Sequence, residues 1–241
     1  MSTLALITGA NKGIGFEVAR QLGATGIIVL IGARGQGRAD AAVTALKKDG
    51  INAHAVEIDV SSEASVIAAA QKIASDHGRI DILVNNAGIM TEMAAGTRPK
   101  DLTLETLKQT FDTNVFGAFT VIKHFVPLLK KSRAPRIINV SSTLGSLCTM
   151  SDSSHPMHGV NFAAYNASKT ALNALTVALA KDLAADRISV NSICPGWVKT
   201  DMGGESAPRN VTQGAGIIVT LATSGNPPTG TFIDENGTVA W

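Results

Sequence analysis

The sequence is poor in cysteine, in charge and in long apolar runs. Its two cysteines, Cys148 and Cys194, do not have the spacing of metal ligands, which favours a reduced, cytoplasmic protein with no bound metal. Charged residues make up 17% of the chain, and 21 basic against 19 acidic side chains leave a net charge of +2. That balance gives no electrostatic reason to bind nucleic acid or an anionic membrane. No apolar run approaches the length of a membrane span, so no transmembrane helix is expected.

The chain also has a single tyrosine, Tyr165, against seven phenylalanines. It lies four residues before Lys169 in the stretch YNASK, and this spacing places both side chains on one face of a helix. A phenol beside a held ammonium group ionises more easily than a free one. An isolated pair of this kind is more often a core tyrosine next to a surface lysine, so a catalytic interpretation needs support from the rest of the chain.

Short β-branched, apolar runs alternate with longer alanine-rich segments along the whole sequence. No linker or internal repeat interrupts them, so the chain predicts one α/β domain spanning residues 1–241. The runs are nearly continuous in apolar residues, as strands buried on both faces are. We therefore expect a Rossmann-type, doubly wound parallel sheet of seven strands with helices on both faces. The predicted strands cover residues 4–8, 27–31, 53–58, 80–85, 136–141, 187–193 and 230–234. Helical patterns cover 62–78, 103–131 (one long helix or two) and 162–184.

The first predicted strand leads into the glycine-rich turn TGANKGIG and then into a helical pattern. Its glycines, Gly9, Gly13 and Gly15, permit a tight turn and a close approach of the backbone. The N-terminus of the following helix presents free N–H groups and a positive dipole to a pyrophosphate. A glycine-rich turn in this context, after a strand and before a helix, indicates dinucleotide binding.

The second predicted strand leads to Arg34, with no carboxylate before Asp40. A dinucleotide with a free ribose 2′-hydroxyl favours a carboxylate at this point, whereas arginine suits a 2′-phosphate through charge-assisted hydrogen bonds. Lys12 in the glycine turn adds a second cation near the same place. The sequence therefore predicts a preference for the phosphorylated dinucleotide. In the alternative interpretation both cations are solvated surface charges.

Six motifs occur in an order that is typical of one family. They are TGANKGIG (8–15), NNAG (85–88), Asn114 within TNVFG, the serine pair 141–142 before TLG, YNASK (165–169) and PGWVKTDM (195–202). Together they resemble the classical short-chain dehydrogenase/reductase family over essentially the whole chain. The likeness is greatest to the carbonyl-reductase group of that family, which implies NADPH/NADP+ as cofactor and a small-molecule carbonyl substrate.

The resemblance implies a role for each matching residue. Tyr165 is expected to be the general acid, and Lys169 to lower the pKa of Tyr165 and bind the nicotinamide ribose. Ser142 is expected to hydrogen-bond the substrate oxygen, and Asn114 to hold a water that links Lys169 to solvent. Ser142 is preferred over Ser141 because it directly precedes TLG, and the two serines point to opposite faces of a strand. The residues implied in cofactor binding are Gly9, Asn11, Lys12, Gly13, Ile14, Gly15, Arg34, Asp59, Val60, Asn86, Ala87, Gly88, Tyr165, Lys169, Pro195, Gly196, Val198 and Thr200.

Specificity for the substrate is expected in the irregular segments. We predict a substrate lid at 196–214 and an extra loop at 146–162, since the distance between Ser142 and Tyr165 exceeds the common family pattern. In the resembling reductases an insertion here packs over a helix face that others use to form tetramers, so a monomer or a homodimer is expected. Met90, Leu144 and Met202 are candidate substrate-lining residues. The two histidines of HPMH (155–158) have no third ligand nearby, which argues against a metal site.

Three functions are compatible with these observations. The first is an NADPH-dependent reductase of ketones or aldehydes. The second is an NAD(P)-dependent dehydrogenase that oxidises a specific secondary alcohol, such as a sterol or a sugar, and Arg34 without an acidic partner disfavours its NAD-linked form. The third is a non-catalytic nucleotide-sensing protein, which is disfavoured because the tyrosine and the lysine are both present.

Overall fold

One sheet runs through the molecule, with strand order β3-β2-β1-β4-β5-β6-β7-β8. The computed structural model describes residues 2–241, except for the side chains at positions 94 and 95. In this part of the chain the strands are β1 (Leu4–Ile7), β2 (Ile28–Ala33), β3 (Ala53–Glu57), β4 (Ile82–Asn85), β5 (Arg136–Val140), β6 (Ser189–Ile193), β7 (Phe232–Asp234) and β8 (Gly237–Thr238).

The seven predicted strands are all present and pair in parallel, which confirms the doubly wound fold. The predicted number of strands was wrong by one, because the described residues form an eighth strand. β8 pairs antiparallel with β7 through a tight turn at Glu235 and Asn236. It is two residues long and exposed, so it carries none of the apolar pattern by which the other strands were recognised.

Helices cover both faces of the sheet, as expected for parallel strands that need crossover connections. Among the described residues the α-helices are α1 (Gly13–Ala24), α2 (Gln36–Lys48), α3 (Glu63–His77), α4 (Glu92–Ala95), α5 (Leu104–Phe111), α6 (Ala118–Leu129), α7 (Leu147–Ser151), α8 (Ala163–Asp182) and α9 (Val211–Thr223). None of them combines the length and the apolar character that crossing a membrane requires.

The core consists of two apolar layers separated by the sheet. Along β1, Ala5 and Ile7 face one layer and Leu4 and Leu6 face the other, as the two-residue repeat of a strand dictates. Helices α1, α2 and α9 pack on the first face, and helices α3, α6 and α8 pack on the second. Burial on both faces explains why the strand sequences are nearly continuous in apolar residues.

Local signals in the sequence set several helix ends. Helix α3 is capped at its start by Ser62, whose hydroxyl accepts the N–H of Ser65, and at its end by Gly78, which has the left-handed conformation with φ 77°. The predicted helical segment 103–131 is divided rather than continuous. A π-helical turn, Asp112–Gly117, separates α5 from α6, and such turns are frequent at functional sites.

Candidate active site

The carboxyl ends of the parallel strands open into a cavity of about 990 Å³. It lies where the strand order reverses between β1 and β4, which is the position where doubly wound sheets bind ligands. Connections after β1, β2 and β3 form one half of its wall, and connections after β4, β5 and β6 form the other half. The fold therefore brings six separate segments of the chain to one cavity.

Nearly all of the residues predicted for the site line this cavity. The lining residues from the predicted cofactor set are Gly9, Asn11, Lys12, Gly13, Ile14, Arg34, Asp59, Val60, Asn86, Ala87, Gly88, Tyr165, Lys169, Pro195, Gly196, Val198 and Thr200. Ser142 and the three candidate substrate residues Met90, Leu144 and Met202 line it too. Gly15 and Asn114 do not reach the wall, and both support residues that do.

The glycine turn is held by the NNAG motif. The Thr8 hydroxyl accepts the backbone N–H groups of Asn86 and Ala87, each at 3.1 Å. The Asn86 side-chain amide donates to the carbonyl oxygens of Thr8 and Gly9 at 2.9 and 3.2 Å. A Cβ atom added to Gly15 would lie 2.4 Å from the Asn86 amide nitrogen. Gly15 therefore leaves space for the Asn86 side chain that joins the two motifs, and for this reason it lies behind the cavity wall.

The N-terminus of α1 has no side-chain cap from the residue that precedes it. Lys12 occupies the N-cap position of α1 and makes no capping hydrogen bond with its side chain. By contrast, α3 is capped by Ser62 and α9 by Asn210. The first turn of α1 thus leaves backbone N–H groups that no capping side chain satisfies, next to the cavity. Such an end of a helix suits an anionic phosphate group.

Two arginines follow β2 on the cofactor half of the cavity. Arg34, which was predicted, and Arg38, which was not, are both exposed and both line the wall. They are four residues apart across the start of α2, and this spacing was the available signal for Arg38. Lys12 lines the same wall, but its ammonium group is paired with Asp201 at 2.5 Å. Arg34 and Arg38 are therefore the better candidates for a 2′-phosphate.

Tyr165 and Lys169 lie side by side on α8, as the YNASK spacing predicts. Tyr165 is 9% exposed and Lys169 is 4% exposed. The Lys169 ammonium nitrogen lies 5.5 Å from the centre of the Tyr165 ring and donates to the carbonyl oxygen of Val140 at 2.7 Å. A Cβ atom on Gly88 would approach that nitrogen to 3.6 Å. Lys169 is thus a buried cation at the cavity floor and not a surface lysine.

Burial shifts the pKa values of Tyr165 and Lys169 in the directions that favour their neutral forms. Loss of hydration raises the pKa of Tyr165 above its ordinary value, a nearby Cys194 adds to the rise, and hydrogen bonding by Ser142 opposes it. Loss of hydration also lowers the pKa of Lys169 to about 8. The expectation of a lowered pKa for Tyr165 is therefore not met by the side chains of the protein alone, because desolvation outweighs the favourable contacts.

The two adjacent serines at the end of β5 have different environments. Ser142 lies on the cavity wall, and its Oγ accepts the N–H of Leu144 at 3.2 Å. This contact uses a lone pair of Ser142 and leaves its O–H to donate, either to the Tyr165 phenol or to a group in the cavity. Ser141 is 2% exposed, and its hydroxyl points at the Lys169 carbonyl oxygen at 3.4 Å. Both serines border the cavity, and the contact of Ser142 with a substrate remains a prediction.

Asn114 lies in the π-helical turn and supports the cavity floor from behind. Its Oδ1 accepts the N–H of Ile89 at 2.8 Å, and its Nδ2 donates to the Ile89 carbonyl oxygen at 2.9 Å. The same Nδ2 donates to the Ser168 hydroxyl at 3.0 Å, and that hydroxyl donates to the Tyr165 carbonyl oxygen at 2.7 Å. Asn114 therefore connects the segment after β4 with the first turns of α8. Its predicted contact with a water remains a prediction.

The half of the cavity beside Ser142 and Tyr165 has a largely apolar wall. The predicted lining residues are joined there by Met157 and by others that the sequence reasoning missed, namely Met93, Val160, Phe162 and Trp197. Three of these belong to the predicted extra loop, which includes the short helix α7 as well as turns. The predicted lid is irregular only as far as Asn210, because α9 begins at Val211.

The histidines of HPMH make local contacts. His158 Nδ1 lies 3.1 Å from the Met150 carbonyl oxygen, and His155 Nδ1 accepts the N–H of Met157 at 3.2 Å. Over the described ranges, no three histidine, cysteine, aspartate or glutamate side chains are grouped so that they could hold a metal ion.

Comparison with known proteins places the chain in a family. Residues 3–210 match the family model described as short chain dehydrogenase. The chain belongs to the short-chain dehydrogenase/reductase family. All six motifs of this family that the sequence contains lie inside the matched segment, and each places at least one residue on the cavity wall.

Several members of the short-chain dehydrogenase/reductase family are similar to this chain over nearly its full length. Carbonyl reductase [NADPH] 1 of Bos taurus is 33% identical over 278 aligned positions, covering 99% of this chain and 98% of the relative. (+)-Neomenthol dehydrogenase of Arabidopsis thaliana is 35% identical and covers 90% of each chain. The crystal structure of NADPH-bound carbonyl reductase from chicken fatty liver superposes with a TM-score of 0.88 at 28% identity, covering 100% of both chains.

The buried lysine predicts a pH dependence of stability. The pKa of Lys169 in the folded protein, about 8, lies below its ordinary value of 10.5. The unfolded chain therefore binds more protons between these two pH values, so this group makes the free energy of unfolding rise with pH. Above pH 10 the raised pKa of Tyr165 acts in the opposite direction. From pH 8 to pH 10, Lys169 should add about 2 kcal/mol of stability.

Urea denaturation of the wild type and Lys169→Met between pH 7 and pH 10 measures this effect. The difference in unfolding free energy between the two proteins should be constant below pH 8 and should shift in favour of the wild type above it. Lys181→Met, which alters an exposed lysine on the same helix, is the matched control and should show no such shift. A difference that stays constant up to pH 10 would show that Lys169 is not desolvated.

Proposed function

We propose that the protein is an NADPH-dependent oxidoreductase that reduces the carbonyl group of a ketone or an aldehyde to the alcohol. One observation carries the proposal: Ser142, Tyr165 and Lys169 meet at the floor of a cavity whose other half is lined by a glycine turn and two arginines. The similarity to carbonyl reductase [NADPH] 1 of Bos taurus and to the NADPH-bound chicken enzyme supports the same activity.

The residues of the cavity fit NADPH. A pyrophosphate fits the N-terminus of α1, where the glycine turn allows close approach and no capping side chain competes. Arg34 and Arg38 fit a 2′-phosphate, and Asp59 and Val60 fit the adenine end of the same half of the cavity. The Asp59 carboxylate is oriented by the backbone N–H and the hydroxyl of Ser61 at 3.0 and 2.7 Å. Lys169 fits a ribose, since its ammonium group lies close to Gly88.

When bound, NADPH supplies the hydride that is transferred to the carbonyl carbon. Negative charge then develops on the carbonyl oxygen, and donors placed at that atom lower the barrier. Ser142 donates its O–H to this oxygen. Tyr165 transfers its phenolic proton to the oxygen and completes the alcohol. Lys169 holds positive charge beside the phenolate that remains, and stabilises it.

The apolar wall beside Tyr165 determines which carbonyl compounds enter. Met90, Met93, Met157 and Met202 give four flexible thioether side chains, and Trp197 adds an exposed ring. Methionine adapts its shape to different partners, so this wall suits apolar substrates of varied shape rather than one sugar or one charged metabolite.

The reverse reaction is the second candidate, because a nicotinamide enzyme can run in either direction. One observation favours it: the similar protein of Arabidopsis thaliana is named (+)-neomenthol dehydrogenase, that is, for an alcohol. On this reading the same residues act in the opposite sense, and Tyr165 accepts the proton of a secondary alcohol. The third candidate, a non-catalytic nucleotide sensor, is disfavoured because Ser142, Tyr165 and Lys169 all line the cavity.

The segment 196–214 is proposed to act as a substrate lid. Its base is closed by hydrogen bonds between Lys199 N–H and the Arg209 carbonyl oxygen at 2.8 Å, and between Arg209 N–H and the Trp197 carbonyl oxygen at 3.3 Å. Its outer part carries Asp201, which pairs with Lys12 of the glycine turn across the cavity. Thr200 and Val198 at its root line the cavity, which couples the lid to the cofactor half. Location in the cytoplasm and a monomeric or homodimeric state stay predictions from the sequence.

An activity assay with an acid-deleted variant tests the proposed reaction. Purified protein should oxidise NADPH in the presence of apolar ketones, aldehydes or quinones. Tyr165→Phe keeps the ring and removes the proton, so kcat should fall by about two to four orders of magnitude while NADPH binding is retained. Phe111→Leu, a change at a ring away from the cavity, is the control. Full activity in Tyr165→Phe would remove Tyr165 from the mechanism.

A charge-reversal series tests the choice of cofactor. Wild-type protein should prefer NADPH over NADH, because two arginines can bind the 2′-phosphate. Arg34→Asp should lower the ratio of kcat/KM for NADPH to that for NADH by about 10- to 100-fold, and Arg38→Asp should lower it in the same direction. Arg133→Asp, at an exposed position off the cavity wall, controls for the change in net charge. Equal use of both cofactors by the wild type would contradict the assignment.

Hydrogen exchange tests the lid. Amide protection across 196–214 should rise when NADPH binds and rise again when a slow substrate or an inhibitor is added, because each adds contacts to the lid. The last two turns of α3, which are away from the cavity wall, should not change and serve as the internal reference. The same protection in all three states would identify the segment as a rigid wall.

A further inference from the structure

One buried carboxylate takes no part in the chemistry described so far. Glu92 is 1% exposed, although it belongs to the four-residue helix α4 in an otherwise largely exposed segment. A carboxylate is rarely buried unless strong hydrogen-bond donors surround it, because its hydration is lost. The donors around Glu92 are backbone N–H groups of helix α8, which carries Tyr165 and Lys169.

Helix α8 begins at a residue that cannot cap it. Phe162 occupies the N-cap position, and its side chain accepts no hydrogen bond. The helix therefore starts with unsatisfied N–H groups in a buried place. Glu92 supplies the missing acceptors from another part of the chain: its Oε1 accepts the N–H of Ala164 at 3.1 Å, and its Oε2 accepts the N–H of Tyr165 at 2.9 Å.

The chemistry of the cap suits a charged carboxylate better than the usual hydroxyl or amide. Each of the two oxygens accepts one N–H group, so both donors are satisfied at once. The negative charge also lies at the positive end of the α8 dipole, where anions are stabilised. A glutamine in this place would put an NH₂ group against one of the two N–H donors.

Glu92 also connects two parts of the site. Its neighbours Met90, Thr91 and Met93 line the cavity on the side of the apolar wall. Glu92 itself turns to α8 and binds the backbone of the residue that donates the proton. The wall that receives the substrate and the phenol that protonates it are thus held together by one carboxylate.

We propose that Glu92 is a positioning residue for Tyr165. By capping α8 from the substrate wall, it sets the position of the phenol relative to Ser142 and to the carbonyl group held against that wall. This inference rests on the proposed function, in which Tyr165 is the proton donor. A misplacement of about 1 Å at a reacting group can lower a rate by as much as a hundredfold, so loss of this cap should affect the chemical step.

Kinetics of Glu92→Gln and Glu92→Asp test the proposal, with Thr103→Ala as the matched control. Thr103 caps α5 through its side chain and lies off the cavity wall, so its removal lowers stability without touching the site. Rates are measured with the carbonyl compound that the wild type reduces best, and are divided by the concentration of sites that bind NADPH in a fluorescence titration. In Glu92→Gln, kcat per site should fall about tenfold. The isotope effect on kcat with NADPH deuterated at the transferred position should increase, and the Kd of NADPH should stay within about twofold.

The conservative variant and the control separate positioning from stability. Glu92→Asp keeps the charge and both oxygens on a shorter stem, so its kcat should lie between those of the wild type and Glu92→Gln. Thr103→Ala should lower Tm but leave kcat per site and the isotope effect unchanged. If Glu92→Gln lowered Tm in the same way and left both kinetic values unchanged, Glu92 would be a structural cap only, and the proposal would be wrong.

A measurement that needs no catalytic turnover separates an error in the role of Glu92 from an error in the proposed function. Tyr165 is the only tyrosine of the chain, so a ¹³Cζ label on tyrosine gives one NMR signal from the proton donor. Glu92→Gln should shift or broaden this signal in the free protein, and Thr103→Ala should leave it in place. An unchanged signal in Glu92→Gln would overturn the positioning role even if the enzyme proved to have another activity. A wild type without carbonyl reduction would overturn the proposed function alone.

Discussion

The close packing of α8 against the carboxyl end of β5 is the constraint on which the site depends. It buries an ammonium group and a phenol together, with Lys169 donating to the Val140 carbonyl oxygen at 2.7 Å. The turn after β5 permits this approach because it carries Gly145, where a Cβ atom would lie 2.7 Å from the Lys169 backbone. Ser142 at the same strand end then faces the phenol. Replacing Gly145 with any larger residue would move the helix, the acid and the serine apart at once.

Burial explains why Tyr165 needs a bound cofactor to become reactive. Desolvation raises the pKa of the phenol and lowers the pKa of Lys169 to about 8, so the phenol stays neutral and the lysine keeps its charge only below about pH 8. A neutral phenol is the correct form of a proton donor, but a phenolate must become accessible once the proton has left. In the proposed reduction the nicotinamide ring would become positively charged as the hydride leaves, and this charge would add to that of Lys169 in stabilising the phenolate. On this account, acid–base chemistry is linked to occupancy of the cofactor half of the cavity.

The sequence predicted the fold and most of the site because both depend on local patterns. Strands buried on both faces give continuous apolar runs, and the turns after β1, β4 and β6 carry motifs that end on the cavity wall. What it missed has separate causes. Strand β8 is too short to show a pattern, and Arg38 had only its four-residue distance from Arg34 as a signal. The cap from Glu92 to Tyr165 spans 73 residues, and no spacing rule links the two. The direction of the Tyr165 pKa shift could not be predicted either, because it depends on how completely the helix is buried.

In the protein without cofactor, burial and not the neighbouring lysine determines the pKa of Tyr165. The most direct test is a pH titration of the ¹³Cζ signal of Tyr165, the only tyrosine, in the free protein and in the presence of saturating NADP⁺. The account predicts a pKa above 10 in the free protein, as burial requires, and a lower pKa with NADP⁺. A pKa at or below 10 in the free protein, or one that NADP⁺ leaves unchanged, would contradict the account.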